Sequence, residues 1–266
     1  MNIYLHEFRM KFGSVITWSF WSGAIIILFS YVFSTIAGDM EALNSVMANY
    51  PPELLAAFGW DQMDLGTVLG FFAFTMSFTQ LLITIQAANY GFSLVSIEER
   101  ELTADFLLAK PVGRVKILTT KLLAALTALL ITNIVVWVAS YFAINTFADG
   151  RPYDNDILVK ILFTVTFLQL FFLSVGLVVS LLVRKVPSVI SYSMGSVFGM
   201  YILAAFGGSL GDDKFDYLTP FKHFEATKIV ATGEYDLPKV MITITVIVIS
   251  IIASYLLYTR RNIPTV

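Results

Sequence analysis

The sequence has no cysteine and only two histidines, His6 and His223, more than two hundred residues apart. Disulfides, thiolate metal sites and cysteine nucleophiles are therefore excluded, and a histidine-rich metal centre is not expected. Charge is also scarce. Only 14% of the 266 residues are charged, against about 25% in soluble domains, which is too few to coat a water-soluble surface. No G-x-x-x-x-G-K-[ST] occurs, so nothing cradles a nucleotide phosphate, and no H-E-x-x-H or G-x-S-x-G suggests a hydrolase. No basic patch suits a nucleic acid, and none is expected as a partner.

What is present is apolar length, with 57% of residues hydrophobic. A helix rises about 1.5 Å per residue, so about 20 apolar residues cross the hydrocarbon of a bilayer. Six stretches free of charge reach that length, at residues 13–37, 66–96, 122–147, 161–183, 188–207 and 240–258. Lipid offers no partner for an unpaired backbone amide, so these read as helices, and the alternation of a membrane barrel is absent. The first run is too long for the apolar core of a cleavable signal and reads as a retained helix. The expected fold is an all-α integral membrane protein, a single transmembrane domain over residues 1–266.

Basic residues gather in the connections on the cytoplasmic side of a membrane. With the N-terminus inside, the inner segments hold Arg9, Lys11, Arg100, Lys110, Arg114, Lys116, Lys121, Arg184, Lys185, Arg260 and Arg261, eleven of the seventeen Lys and Arg. Fourteen of the nineteen Asp and Glu fall outside. Both termini are expected in the cytoplasm. Trp18, Trp21, Trp60, Tyr255 and Tyr258 sit near span ends, as interfacial aromatic residues do.

The segments between the spans carry further signals. Residues 1–12 place Met1, Tyr4, Leu5, Phe8 and Phe12 on one helical face and Asn2, His6 and Arg9 on the other, with Glu7 and Lys11 an i,i+4 pair. This predicts an amphipathic helix on the membrane surface ahead of the first span. Tyr50 to Gly59 predicts a short outer helix. In the last outer connection, Thr219 is placed to cap, Pro220 to start and Gly233 to stop another helix. His223 stands alone among aromatic residues there, which favours a structural role over metal ligation.

The connection between spans two and three, Glu98 to Lys121, is the most informative. Glu98, Glu99 and Glu101 extend the second helix beyond the bilayer. Thr103 is a candidate N-cap, Asp105 lies in the first turn of a short helix, and Phe106, Leu107 and Leu108 give it an apolar surface. Pro111 ends it, and Arg114 opens a basic helix leading into span three. An acidic approach followed by an apolar knuckle suits a protein docking site better than a lipid contact.

Within the spans the polar side chains are few, and no ionisable group is expected to be buried. Gln80, Gln86 and Asn89 of span two either line a path or hydrogen-bond to neighbouring helices. Ser191, Gly195 and Gly199, four residues apart on span five, suit close helix packing, within the chain or against another subunit. The lack of intramembrane charge argues against coupling to a proton or sodium gradient.

Glu98-Glu99-Arg100, Leu102-Thr103, Leu107-Leu108-Ala109-Lys110-Pro111-Val112, Arg114 and Lys121 resemble the conserved stretch of ABC-2-type permeases, the membrane subunits of bacterial ATP-binding-cassette exporters. Leu102 stands where many members have glycine, and Gly113 where many have serine. Tyr50–Gly59 and Thr219–Ala226 are similar to other pieces of that family. The resemblance implies that about Thr103–Ala109 is a coupling helix seated on a separate soluble ATPase subunit, two copies of which pair with two permeases, identical or homologous. It implies that ATP and magnesium are bound on that partner, with no cofactor on this chain, and that export moves an apolar or amphipathic substrate across a cell membrane. The alternatives are a secondary transporter or channel independent of ATP, or a membrane component of a resistance or sensing complex.

Overall fold

The computed structural model describes residues 3–36, 45, 49–51, 55, 64–100, 112–183, 185–210 and 214–260, at 98–100 and 207–210 by their backbone only. The described chain is helical. The long helices are α1 (Ile3–Ile36), α2 (Val68–Arg100), α3 (Arg114–Phe147), α4 (Asn155–Leu182) and α5 (Val189–Leu210). A 3-10 turn at Phe215–Tyr217 leads to two short helices, α6 (Pro220–His223) and α7 (Ala226–Thr232), and then to α8 (Leu237–Arg260). Six of the helices are long and apolar enough to cross a membrane, and they correspond to the six expected spans.

α2 is the axis of the bundle. It packs along α4, with α5 on its flank, while α1 lies along α3 and α8 lies against α4. Within the most apolar stretch, 72% of α2 is buried against 17% of α5. The reason lies in two glycines. A Cβ at Gly91 would stand 2.4 Å from the carbonyl oxygen of Leu173, and one at Gly176 would stand 3.2 Å from that of Ala88. α2 and α4 therefore meet backbone to backbone, the close approach that lipid-embedded helices use when burial of apolar area drives little association. The α1–α3 seam is also built on small residues, with Ser19, Ser22, Ala125, Ala128 and Thr132 buried.

Turn chemistry sets the connections. The α3–α4 turn uses positive φ at Asp149 and Gly150, and the Asp154 carboxylate then caps α4 by accepting from the backbone N–H of Asp156 and Ile157 at 2.8 and 3.4 Å. Gly233 ends α7 in the left-handed region, φ 72°.

Two expectations from sequence are corrected. Over residues 3–12, the described part of the expected surface helix, no separate helix forms, because α1 runs unbroken from Ile3 to Ile36. Its inward face there is Glu7, Lys11 and Val15, whereas Leu5 and Phe12 of the expected apolar face are exposed. The single helix expected from Pro220 to Gly233 is instead two, broken at Phe224, whose φ and ψ are −125° and 40°. Thr219 precedes the first helix but does not cap it with its side chain; its hydroxyl donates to the carbonyl of Met200 at 2.9 Å. Phe224 turns inward and stacks on Phe167, centroids 5.1 Å apart.

Candidate functional site

α1, α2 and α3 are each 33 or 34 residues long, about 50 Å, so each outruns a hydrocarbon core of about 30 Å. The start of α1, the end of α2 and the start of α3 lie at one end of the bundle, flanking the connection at 101–111. There the three helices share a buried ionic cluster. The Lys121 ammonium reaches the Glu7 carboxylate at 2.8 Å and donates to the carbonyl of Leu94 at 2.9 Å. Lys11, one turn along α1, binds the other Glu7 oxygen at 3.1 Å. Lys121 is 0% exposed and Glu7 4%. The expectation that the charge-free spans bury no ionisable group is left as it stood by this cluster. These residues lie beyond the charge-free runs, but their helices continue past the bilayer and keep packing, so the same inward face carries charge there.

From this cluster a chain of hydroxyls and amides runs into the bundle. Ser14 and Tyr90 bond at 3.1 Å, Gln86 donates to the Tyr90 hydroxyl at 3.2 Å and to Thr132 at 2.9 Å, and Ser19 donates to Thr132 at 3.4 Å. The first three helices are thereby stapled together from their shared end towards the middle of the membrane.

The residues singled out from sequence fall as follows. Glu98 and Glu99 belong to the last turn of α2. Thr103, Asp105, Phe106, Leu107, Leu108 and Pro111 lie outside the described residues. Arg114 opens α3 and donates to the carbonyls of Tyr258 and Thr259 at 3.4 and 3.2 Å, closing the end of α8 where a cation suits the helix dipole. Gln80 donates to Thr164 at 2.8 Å and to the Phe224 carbonyl at 3.3 Å, and Asn89 accepts from Ser193 at 3.3 Å. With Gln86, all three amides bond to neighbouring elements, the interhelical alternative left open above. Ser191, Gly195 and Gly199 are exposed on α5, and a Cβ at Gly195 or Gly199 would meet nothing within 4 Å. Packing through the two glycines within the chain is thus not what the described residues show.

The model of the ABC-2 family transporter protein matches residues 1–263. The chain belongs to the ABC-2 transporter family. No curated protein matches it. As an ABC-2 protein it is the membrane component of a transporter, a multi-pass permease that is not itself catalytic. Among its described residues no group of His, Asp and Glu suits a metal ion.

The opposite end of this ABC-2 permease is closed by residues 215–236. Lys239 pairs with Asp216 at 2.7 Å and Lys228 with Asp236 at 2.9 Å, and Lys160 donates to the Gly233 carbonyl at 2.8 Å. Phe221, Phe224 and Ile229 are buried, so they touch protein. His223 is buried with its Nδ1 2.6 Å from the Thr243 hydroxyl. Burial, aided by the nearby Lys239 charge, holds the imidazole below its ordinary value of 6.5, against the opposing pull of the Tyr217 and Asp216 backbone. A histidine with a depressed folded pKa binds fewer protons folded than unfolded. Its contribution to stability is therefore complete above about pH 6.5 and declines as the pH falls towards the folded value, by at most about 1.4 kcal/mol per pH unit. Melting temperatures of the purified chain at pH 7.5 and 5.0 should show this loss, and His223→Gln should flatten it.

The Glu7–Lys121 contact and the Gly91–Leu173 approach were both missed by sequence reasoning. The i,i+4 spacing of Glu7 and Lys11 was visible, but the third member lies 114 residues away from Glu7. Gly91 carries a weak signal, a glycine inside an apolar helix, which usually has a packing reason.

Proposed function

We propose that this permease is driven by a separate soluble ATPase subunit that docks on the 101–111 connection, and that the Glu7–Lys11–Lys121 cluster passes its motion into the membrane. The observation that carries this reading is the cluster's position. It joins α2 and α3, the two helices that flank the connection, to α1. A pull on the connection is therefore carried into α1 as well as into α2 and α3, and α2 passes it on to α4 through their backbone contact, a rearrangement of packed elements. The charge distribution supports placing this end, with both termini, in the cytoplasm. The assembly would hold two permeases, identical or homologous, and two ATPase subunits, which bind ATP and magnesium. The apolar interior suits export of an apolar or amphipathic substrate from a bacterial cell membrane.

Purification of the chain from its native membrane should bring down a soluble ATPase. Changing Leu107 and Leu108 together to Asp should abolish that association while leaving the helical content and melting temperature of the chain unchanged. Association that survives the double change removes the docking assignment. Transport that persists after ATP depletion removes the energy source and favours a secondary transporter.

A further inference from the structure

α2, α4 and α5 leave between them a cavity of about 440 Å³, within the range of pockets that hold a whole small ligand. Its wall is almost entirely apolar. Phe92 comes from α2, Phe171, Val175 and Val179 from α4, and Met200 and Gly195 from α5. The cavity extends along α5 from Ser191 to Met200, about 14 Å. It lies in the half of the bundle nearer the α4–α5 turn, the same end as the ionic cluster. Ser191, Tyr192 and Gly195 are exposed and form its mouth. Gly195 keeps that mouth open, since a side chain there would project into empty space.

Two features identify the occupant. First, every wall belongs to a helix long and apolar enough to span the membrane, so the mouth lies at the depth of the hydrocarbon. Secondly, the α4–α5 turn, which lies beyond that end of the cavity, is cationic and hydroxylated. Lys185 is exposed there, and Ser188 accepts from the Ser191 backbone N–H at 3.3 Å and from its hydroxyl at 2.9 Å at the start of α5. An apolar slot of acyl length, with a basic residue at its interfacial end, matches an anionic lipid in both parts.

We propose that this cavity holds one acyl chain of an anionic phospholipid, with the phosphate at Lys185 and the chain running inward past Gly195 to Met200. The site is intrinsic to one subunit and stands whether or not an ATPase docks at the other connection. It also gives the small residues Ser191 and Gly195 a role that helix packing within the chain does not.

The test uses the purified full-length chain in phosphatidylcholine vesicles doped with a phosphatidylglycerol that carries a diazirine midway along one acyl chain. After irradiation, adducts should concentrate on Phe171–Val179 and Tyr192–Met200. Unlabelled phosphatidylglycerol should compete about fivefold better than phosphatidylcholine, the advantage of one interfacial lysine, and Lys185→Gln should remove that advantage without abolishing labelling. Filling the mouth with Gly195→Trp, or with Ser191→Phe, should bring labelling of the cavity down to the level of Phe20 and Trp21 on the outer face of α1. Adducts spread evenly over the lipid-facing helices, or undiminished in both filled variants, would overturn the proposal. So would disulfide cross-linking of Gly195→Cys between two copies in native membranes, which would make the mouth a subunit contact. Should neither filled variant fold, the adduct map and the headgroup competition on the unaltered chain decide the question alone.

Discussion

Replacing Glu7 with leucine destabilises the folded chain by about 3–5 kcal/mol, the loss expected when one partner of a buried ion pair is removed. Glu7 receives the Lys121 ammonium at 2.8 Å and the Lys11 ammonium at 3.1 Å. Lys121 is completely enclosed, so without the carboxylate its charge stays in a region of low dielectric. Converting Lys121 to methionine in the same chain removes that charge, and the double variant should recover a large part of the loss. The coupling is read by a double-mutant cycle on unfolding of the detergent-solubilised protein. Additive losses would show that the cluster contributes nothing as a unit. The cycle also bears on function. If the cluster carries motion from the connection into α1, Glu7→Leu with Lys121→Met should restore stability but leave ATP-driven transport impaired.

The second large effect is expected at Gly91. A Cβ there lies 2.4 Å from the carbonyl oxygen of Leu173, and that atom belongs to the backbone of a packed helix and cannot swing aside. Gly91→Val forces α2 and α4 apart, at about 3 kcal/mol or more, the upper end of overpacking costs. The pair is the centre of the bundle, so the expected outcome is loss of monodisperse protein on size exclusion. Gly176→Ala, whose nearest contacts are 3.2–3.3 Å, should cost less, and Gly195→Ala should leave the melting temperature unchanged. Equal tolerance at all three positions would rule out the backbone contact as the organising feature.

The six membrane-crossing helices were legible in the sequence because the requirement is one-dimensional. About 20 residues without charge suffice to cross hydrocarbon, whatever their neighbours are. The extension of α2 through Glu98 and Glu99 and the basic start of α3 at Arg114 were legible for the same reason. So was the stop at Gly233, since only a residue tolerant of positive φ ends α7 in that way. The inward turn of Phe224 was not legible. The Thr219-Pro220 pattern favours one helix, and only the stack on Phe167 and the bond from Gln80 break it. Gln80, Gln86 and Asn89 could be picked out as polar residues in an apolar helix, but their partners Thr164, Thr132 and Ser193 lie on other helices, and spacing along α2 says nothing about them.

Sequence alone determined the class of the molecule, its spans, its charge asymmetry and its likeness to a transporter family, because burial in lipid and the stopping of helices act on local stretches of chain. Tertiary structure alone decided which glycines are contacts and which are openings. It also decided that Lys121 is the most deeply enclosed charge among the described residues although it stands among basic residues in sequence. The physical reason is that packing distance and electrostatic pairing depend on what faces a residue across a gap of a few ångströms, and in this helical bundle that neighbour lies tens of residues away or more, on another helix.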